Sequence, residues 1–128
     1  MREAWLDHPL FAVACAIPRV RSRLSDIVAE YSGADLARVK SPSFGDGRDA
    51  VTRLGRIAVP TLILIGEREV PYLKIVAEAQ AYSVPHASMV ILPGCDHVAN
   101  MVAPEAYNAA VLRFLETADR SRRRRAEA

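Results

Sequence analysis

Two residues of the sequence have the types and spacing of an acid–base pair. Glu69 follows the apolar run of residues 61–65, and His97 follows the apolar run of residues 89–92. If both runs are parallel strands, the two side chains lie beyond their carboxyl ends, where the functional groups of such sheets gather. A carboxylate that accepts a hydrogen bond from one imidazole nitrogen fixes the tautomer and stabilises the imidazolium formed when the other nitrogen takes a proton. The spacing thus predicts a proton-transfer pair, although it fits equally a solvated turn glutamate and a histidine satisfied within its loop.

The elements that must position this pair are a strand, a helix and a second strand. Thr61–Ile65 is a continuous apolar run, which is typical of a strand buried on both faces of a parallel sheet. Pro71 suits the first turn of a helix, and residues 84–85 (Val-Pro) end that helix before a second strand at Met89–Leu92. A strand–helix–strand unit of about 30 residues forms a right-handed crossover, so we expect the two strands to be parallel.

Further helices are predicted on the amino-terminal side of this unit. Residues 2–7 form a short helix, and a second helix begins at Pro18 and ends at residues 32–33 (Ser-Gly). Residues 41–47 have the composition of a loop, and a short helix is expected over residues 48–54. The apolar stripe of the second helix comprises Val20, Leu24, Ile27, Val28 and Tyr31.

Length and composition fit one small domain whose sheet is incomplete. The 128 residues are 51% hydrophobic and 25% charged, which is compatible with a packed core and excludes wholesale disorder. Two strands are few for a self-sufficient α/β sheet. The net charge of +2 divides into +3 for residues 119–128 and −1 for the rest, so electrostatics favour neither a nucleic-acid nor a membrane partner. The arginine run is expected to be a solvated, frayed tail, with weak anion binding or targeting as the alternative.

The cysteines and histidines indicate neither a disulfide framework nor a metal site. Cys15 and Cys95 are isolated and far apart, and no signal peptide or apolar run of membrane-spanning length is present, so a reducing cytoplasm is the expected location. No metal or cofactor is expected, because Cys95 and His97 lack two further ligands at a fitting spacing. Cys95 is interpreted as a small turn residue, His8 as a cap residue before a proline and His86 as a surface loop residue.

Three stretches of the second half resemble the α/β-hydrolase fold superfamily. Residues 59–71 (VPTLILIGEREVP) resemble the last-but-one strand and acid turn of that family, and residues 84–97 resemble its final strand and histidine loop. Residues 104–115 resemble its closing helix, which Pro104 would begin. Residues 1–45 are similar to the helical cap of many members. The resemblance implies an α/β fold with a partial α/β-hydrolase core of two parallel strands flanked by helices.

The resemblance also implies a domain organisation and roles for individual residues. Residues 1–45 would be the cap (lid) segment, residues 46–118 the core segment and residues 119–128 an arginine-rich disordered tail. His97 would be the general base and Glu69 its orienting acid, a position at which members more often carry Asp. Four apolar or aromatic side chains are expected to pack, and by the resemblance some of them would line a pocket for a hydrophobic ester, ketone or similar small molecule: Trp5, Leu10, Phe11 and Tyr31.

The nucleophile that such a pair would serve is not in the sequence. The family's strand-to-helix elbow, G-x-S-x-G, does not occur. Ser32 lies at a predicted helix end and Ser43 in a predicted loop, and neither has an elbow context. We therefore expect a truncated member, a fragment or the product of an internal start at Met1, that is inactive alone and whose parent activity is hydrolysis of a small ester-like or C–C bonded substrate. The alternative is a non-catalytic remnant or interaction module that pairs through an exposed sheet edge, either with a second copy or with a nucleophile-bearing half.

Overall fold

The computed structural model describes residues 2–32 and 50–127, which form an amino-terminal helical segment and a βαβ unit with further helices. The helical segment contains α1 (Arg2–Leu6), a 3-10 turn (Pro9–Phe11), α2 (Ala12–Ala16) and α3 (Pro18–Glu30). The second part contains a 3-10 helix (Ala50–Arg56), β1 (Thr61–Gly66), α4 (Pro71–Ser83), β2 (Ala87–Leu92), α5 (Ala99–Val102) and α6 (Pro104–Ala126). Four predictions lie outside the described residues: the end of the second helix at Gly33, the loop at 41–47, Ser43 and the first two residues of the helix at 48–54.

Proline begins three of the helices, as the sequence predicts. Pro18, Pro71 and Pro104 stand in the first turns of α3, α4 and α6. That position tolerates proline because its backbone N–H would have no partner within the helix, and because the fixed φ angle is already helical. The ring of His8 caps the 3-10 turn by accepting a hydrogen bond from the N–H of Leu10 at 3.2 Å, which confirms its predicted role.

The two strands are parallel, in register from Thr61 opposite Ala87 to Gly66 opposite Leu92. The predicted crossover through α4 is therefore confirmed. Gly66, at the carboxyl end of β1, is in close contact with the turn that follows β2. A Cβ atom at this position would collide with the carbonyl oxygens of Cys95 and Asp96, so the two strand ends approach each other in a way that only glycine allows.

The prediction that β1 is buried on both faces is wrong for its first four residues. Residues 61–64 are partly buried, and full burial is reached only at Ile65 and Gly66. On β2, Met89 is exposed and Ile91 leaves 55% of its surface accessible. The described residues pair β1 with β2 and with no third strand, so apolar side chains suited to a covered sheet have one uncovered side.

The helical segment has its own core, and α5 joins it to the sheet. The fully buried members of this core are Leu6, Phe11, Ala14, Val20 and Leu24. Val98, Met101 and Val102 pack against them, and Val102 also packs against the second cluster, which contains Leu92, Cys95 and Ala99. Leu10 and Phe11 pack as predicted. Trp5 and Tyr31 are 55% and 47% exposed, although Trp5 still stacks on Phe11.

The carboxyl-terminal arginine run continues α6 as a helix up to Ala126, so the prediction of a disordered tail is wrong for residues 119–126. Asp119 accepts hydrogen bonds from Arg122 and Arg123 at 2.9 and 3.0 Å, and these residues lie three and four positions further along the helix. The bond from Arg122 and the charge of Arg123 hold the pKa of the Asp119 carboxyl below its ordinary value. No helix within the described ranges is both long and apolar enough to cross a bilayer.

Candidate active site

The structure brings the side chains of Glu69 and His97 together at the carboxyl ends of β1 and β2. Nδ1 of His97 lies 2.7 Å from Oε2 of Glu69. The other carboxylate oxygen, Oε1, accepts a hydrogen bond from the N–H of Val70 at 2.8 Å, so both oxygens are engaged. The carboxylate is buried with 5% of its side chain accessible, whereas 43% of the His97 side chain is accessible. The roles assigned to the two residues from the resemblance stay predictions.

The two turns that carry this pair are held to each other by backbone hydrogen bonds. Glu67 N–H donates to the carbonyl of Leu92 at 2.9 Å, and Arg68 N–H donates to the carbonyl of Cys95 at 2.7 Å. The carboxylate of Glu67 accepts a hydrogen bond from the N–H of Gly94 at 2.8 Å. Gly94 has a φ of 67°, which glycine adopts without the steric penalty that other residues meet. These bonds thus hold the two turns at a fixed separation, across which the side chains of Glu69 and His97 meet.

The imidazole of His97 is oriented by its other neighbours as well. Its backbone N–H donates to the carbonyl of Leu10 at 3.3 Å, and its ring meets Phe11 edge-to-face with centroids 6.1 Å apart. Phe11 in turn stacks on Trp5 at 5.3 Å. Because an ionised Glu69 can only accept, the proton of the neutral ring belongs on Nδ1. Nε2 is then the basic nitrogen, and no hydrogen bond to it forms within the described residues.

Asp96 is a buried carboxylate that the sequence analysis did not identify. Only 1% of the residue is accessible. Its Oδ2 accepts hydrogen bonds from the N–H groups of Val13 and Ala14, each at 2.8 Å, and its Oδ1 accepts a longer one of 3.4 Å from the N–H of Val98. Phe11, the residue before α2, has no side-chain acceptor, so the N–H groups of the first turn need an acceptor from a distant part of the chain.

The remaining candidate residues are placed apart from this pair or serve the turn. Cys95 is buried, donates its thiol to the carbonyl of Pro93 at 3.4 Å, and fits its interpretation as a small turn residue. Burial, followed by the nearby charges of Asp96 and Glu67, raises the pKa of this thiol. Across residues 2–32 and 50–127, no three His, Cys, Asp or Glu side chains are grouped as metal ligands would be.

His86 and Ser32 lie where the sequence predicts. His86 is exposed in the turn before β2, at the opposite end of that strand from His97, which confirms its interpretation as a surface residue. Ser32 follows the carboxyl end of α3 and is therefore not on a strand-to-helix turn.

No protein-family model matches the sequence. The structure is similar to that of MenH from S. aureus, an α/β-hydrolase fold enzyme, with a TM-score of 0.79 and 21% sequence identity. The described residues thus have part of the α/β-hydrolase fold. The similarity covers 92% of this chain and 45% of the MenH chain, so the chain spans less than half the length of that protein. The predicted fold class, two parallel strands flanked by helices, is confirmed.

Proposed function

We propose that His97 is the general base and Glu69 its orienting acid in the hydrolysis of a small ester-like or C–C bonded substrate. The observation that carries this proposal is the contact of 2.7 Å between Nδ1 of His97 and Oε2 of Glu69 at the ends of two parallel strands. A buried carboxylate on one ring nitrogen and an accessible basic nitrogen on the other form the acid–base half of a hydrolytic triad.

In this mechanism Nε2 of His97 takes the proton of the attacking hydroxyl or thiol. The carboxylate of Glu69 stabilises the imidazolium that forms, and the proton then passes from Nε2 to the leaving group. The oxyanion would be held by donors outside this pair. Residues 5–11 would line the substrate side of the histidine, because Phe11 already contacts its ring.

The nucleophile must come from another stretch of polypeptide, because the sequence holds no G-x-S-x-G elbow. The 128-residue chain alone is then the cap segment and the acid–base part of a hydrolase, and it has no turnover of its own. This agrees with the 45% of the MenH chain over which the similarity extends.

The test compares p-nitrophenyl acetate hydrolysis by the chain alone and by the chain joined to the polypeptide that the preceding in-frame DNA encodes. We expect the chain alone to be no faster than free imidazole, and the joined protein to show turnover that needs its own serine or cysteine elbow. His97→Ala in the joined protein should lower kcat by roughly 10³-fold or more, and Glu69→Gln by about 10²-fold or more. His86→Ala, the matched control, should leave kcat unchanged.

Three outcomes would contradict this account. Turnover by the chain alone that survives replacement of every serine but is lost in His97→Ala would show that no separate nucleophile is needed. Unchanged activity of His97→Ala in the joined protein would remove the histidine from catalysis. The absence of an elbow from the preceding DNA would favour the second candidate function.

That second candidate is a non-catalytic interaction module, favoured by the uncovered sheet. Ile91 is 55% exposed, and β1 has no strand partner on its second edge among the described residues. Unpaired strand edges are templates for pairing with another chain. Light scattering after size exclusion tests this. A chain that self-associates supports the interaction module, and a monodisperse, stable monomer counts against it.

A further inference from the structure

The buried carboxylate of Asp96 has no part in the proton transfers proposed above, yet its burial needs an explanation. A carboxylate removed from water is tolerated only where hydrogen-bond donors replace its hydration. Those donors come from Val13 and Ala14, in the first turn of α2 and more than 80 positions away in the sequence. Bonds from N–H groups to an ionised acceptor are about twice as strong as neutral ones. The contact is thus a strong link between the amino-terminal helical segment and the histidine loop.

The same two stretches of chain meet at two further points. The N–H of His97 donates to the carbonyl of Leu10, and the rings of His97 and Phe11 are in edge-to-face contact. Residues 10–14 therefore contact Asp96 through its side chain, and His97 through both its backbone and its ring. Since Asp96 and His97 are consecutive, the bonds of the Asp96 carboxylate to α2 also fix the position of the His97 backbone.

This arrangement determines the direction in which the imidazole points. The ring has Glu69 on its Nδ1 side and Phe11 against it at 6.1 Å. Glu69 belongs to the turn after β1, whereas Phe11 belongs to the helical segment, so the ring is held only while both parts keep their relative position. The turn after β1 is tied to the histidine loop by backbone bonds. The helical segment is tied to the histidine loop by the side chain of Asp96, which accepts hydrogen bonds from Val13 and Ala14.

We propose that Asp96 is a positioning residue, which fastens the helical segment to the histidine loop and so holds the ring of His97 with its Nδ1–H donating to Glu69. Its importance for catalysis rests on the proposed function, but the positioning itself does not. Asp96 does not touch the reacting atoms and acts through the backbone and ring of His97.

The experiment measures the ring nitrogens of His97 by NMR in the full chain labelled with ¹⁵N-histidine, with His97 assigned from its loss in His97→Ala. In the unchanged chain we expect the neutral ring to carry its proton on Nδ1 and none on Nε2. In Asp96→Leu, which is similar in size but accepts no hydrogen bond, the ring should exchange between both tautomers and lose its contact with Phe11. Backbone signals of α4, β1 and β2 report whether the variant is folded.

Asp96→Asn is the conservative variant, because its amide oxygen can still accept from Val13 and Ala14 but carries no charge. We expect the His97 tautomer to be retained and the hydrogen exchange of the Val13 and Ala14 amides to rise by about 10-fold, since neutral acceptors are weaker. Unchanged exchange of these two amides would overturn the proposal even if Asp96→Leu does not fold. A folded Asp96→Leu chain with an unaltered His97 ring would overturn it as well.

Glu69→Ala separates this proposal from the proposed function. If Glu69→Ala leaves the tautomer of His97 unchanged, the acid–base pairing fails, whatever Asp96 does. If Glu69→Ala alters the tautomer and a folded Asp96→Leu chain does not, only the positioning role fails. Parallel loss of the tautomer in Glu69→Ala and Asp96→Leu supports both.

Discussion

The helical segment and the sheet of this chain differ in how completely their apolar side chains are covered. The helical segment buries Leu24 to 6% and Val20 to 1% accessibility, with α5 packed against it. The sheet, by contrast, leaves Ile91 on β2 half exposed. The contact between Glu69 and His97 lies at the boundary between these regions, where the strand ends, the helical segment and α5 meet. Precise placement of His97 thus depends on the well-packed part, although its strands belong to the uncovered one.

This difference shows that two side chains at strand ends can be held in contact while the described sheet has only two strands. The contacts that hold the turns of Glu69 and His97 together are backbone hydrogen bonds and the close approach at Gly66. None of them requires a third strand. What a further strand would supply is coverage for the sheet and, on the proposed function, a nucleophile.

The largest effect is expected where the two strand ends touch. Gly66→Val places a side chain against the carbonyl oxygens of Cys95 and Asp96, which are backbone atoms and cannot move aside alone. We expect a loss of about 3 kcal/mol in the free energy of unfolding, measured by urea denaturation. Gly55→Ala is the matched control, because its added Cβ meets only the carbonyl of Ser83 at an ordinary 3.8 Å. Equal stability of the two variants would show that the strand ends are not in close contact.

A second pair of substitutions measures the contrast between the two regions directly. Leu24→Ala removes a buried side chain from the helical core and should cost about 2–4 kcal/mol in the free energy of unfolding. Ile91→Ala removes a half-exposed side chain from the sheet and should cost less than about 1 kcal/mol in the chain alone. If Ile91→Ala loses nearly as much free energy of unfolding as Leu24→Ala, the sheet is covered in solution. If that loss depends on protein concentration, a second copy of the chain covers it.

The sequence predicted the elements of the site because each was determined by neighbours in the chain. The run at Thr61–Ile65, the proline at Pro71 and the turn before Met89 are local signals, and the parallel arrangement follows from the handedness of a short crossover. Once the strands are parallel, Glu69 and His97 must emerge at the same edge of the sheet. Their juxtaposition was thus predictable without any knowledge of distant contacts.

The features that the sequence did not predict depend on contacts between distant residues, or on whether a strand or helix has a neighbour that covers it. The bonds of Asp96 to Val13 and Ala14 join residues whose separation carries no periodic signal. The apolar run of β1 indicates that the strand suits a covered position but not that a cover is present. The arginine run was interpreted from composition alone, although a helix that is already nucleated extends at little further cost.

Thiol reactivity gives a smaller test of how tightly the histidine turn packs. Burial and the neighbouring carboxylates raise the pKa of Cys95, so less of it is thiolate at any given pH than for an ordinary cysteine. We expect Cys95 to react with Ellman's reagent at least about 10-fold more slowly than the partly exposed Cys15, compared as Cys15→Ser and Cys95→Ser chains. Because folding raises this pKa, the folded state is favoured at lower pH, and this contribution is lost as the pH rises through the titration of the thiol. Equal rates for the two cysteines would contradict the packing of the turn.

The smallest effect is expected at the end of α6, where the ion pairs of Asp119 with Arg122 and Arg123 are exposed to solvent. The pKa of Asp119 is lowered by its hydrogen bond to Arg122 and by the charge of Arg123. A lowered pKa in the folded state means that the bonded carboxylate favours the helix above the ordinary pKa of Asp, and that this support is lost as the pH falls through the lowered value. Carbon chemical shifts of residues 119–126 should therefore become less helical on acidification, while those of residues 104–112 change little. Asp119→Asn should already show the less helical chemical shifts at neutral pH. If residues 119–126 are equally helical in the unchanged chain and in Asp119→Asn at every pH, these exposed ion pairs do not stabilise the helix end.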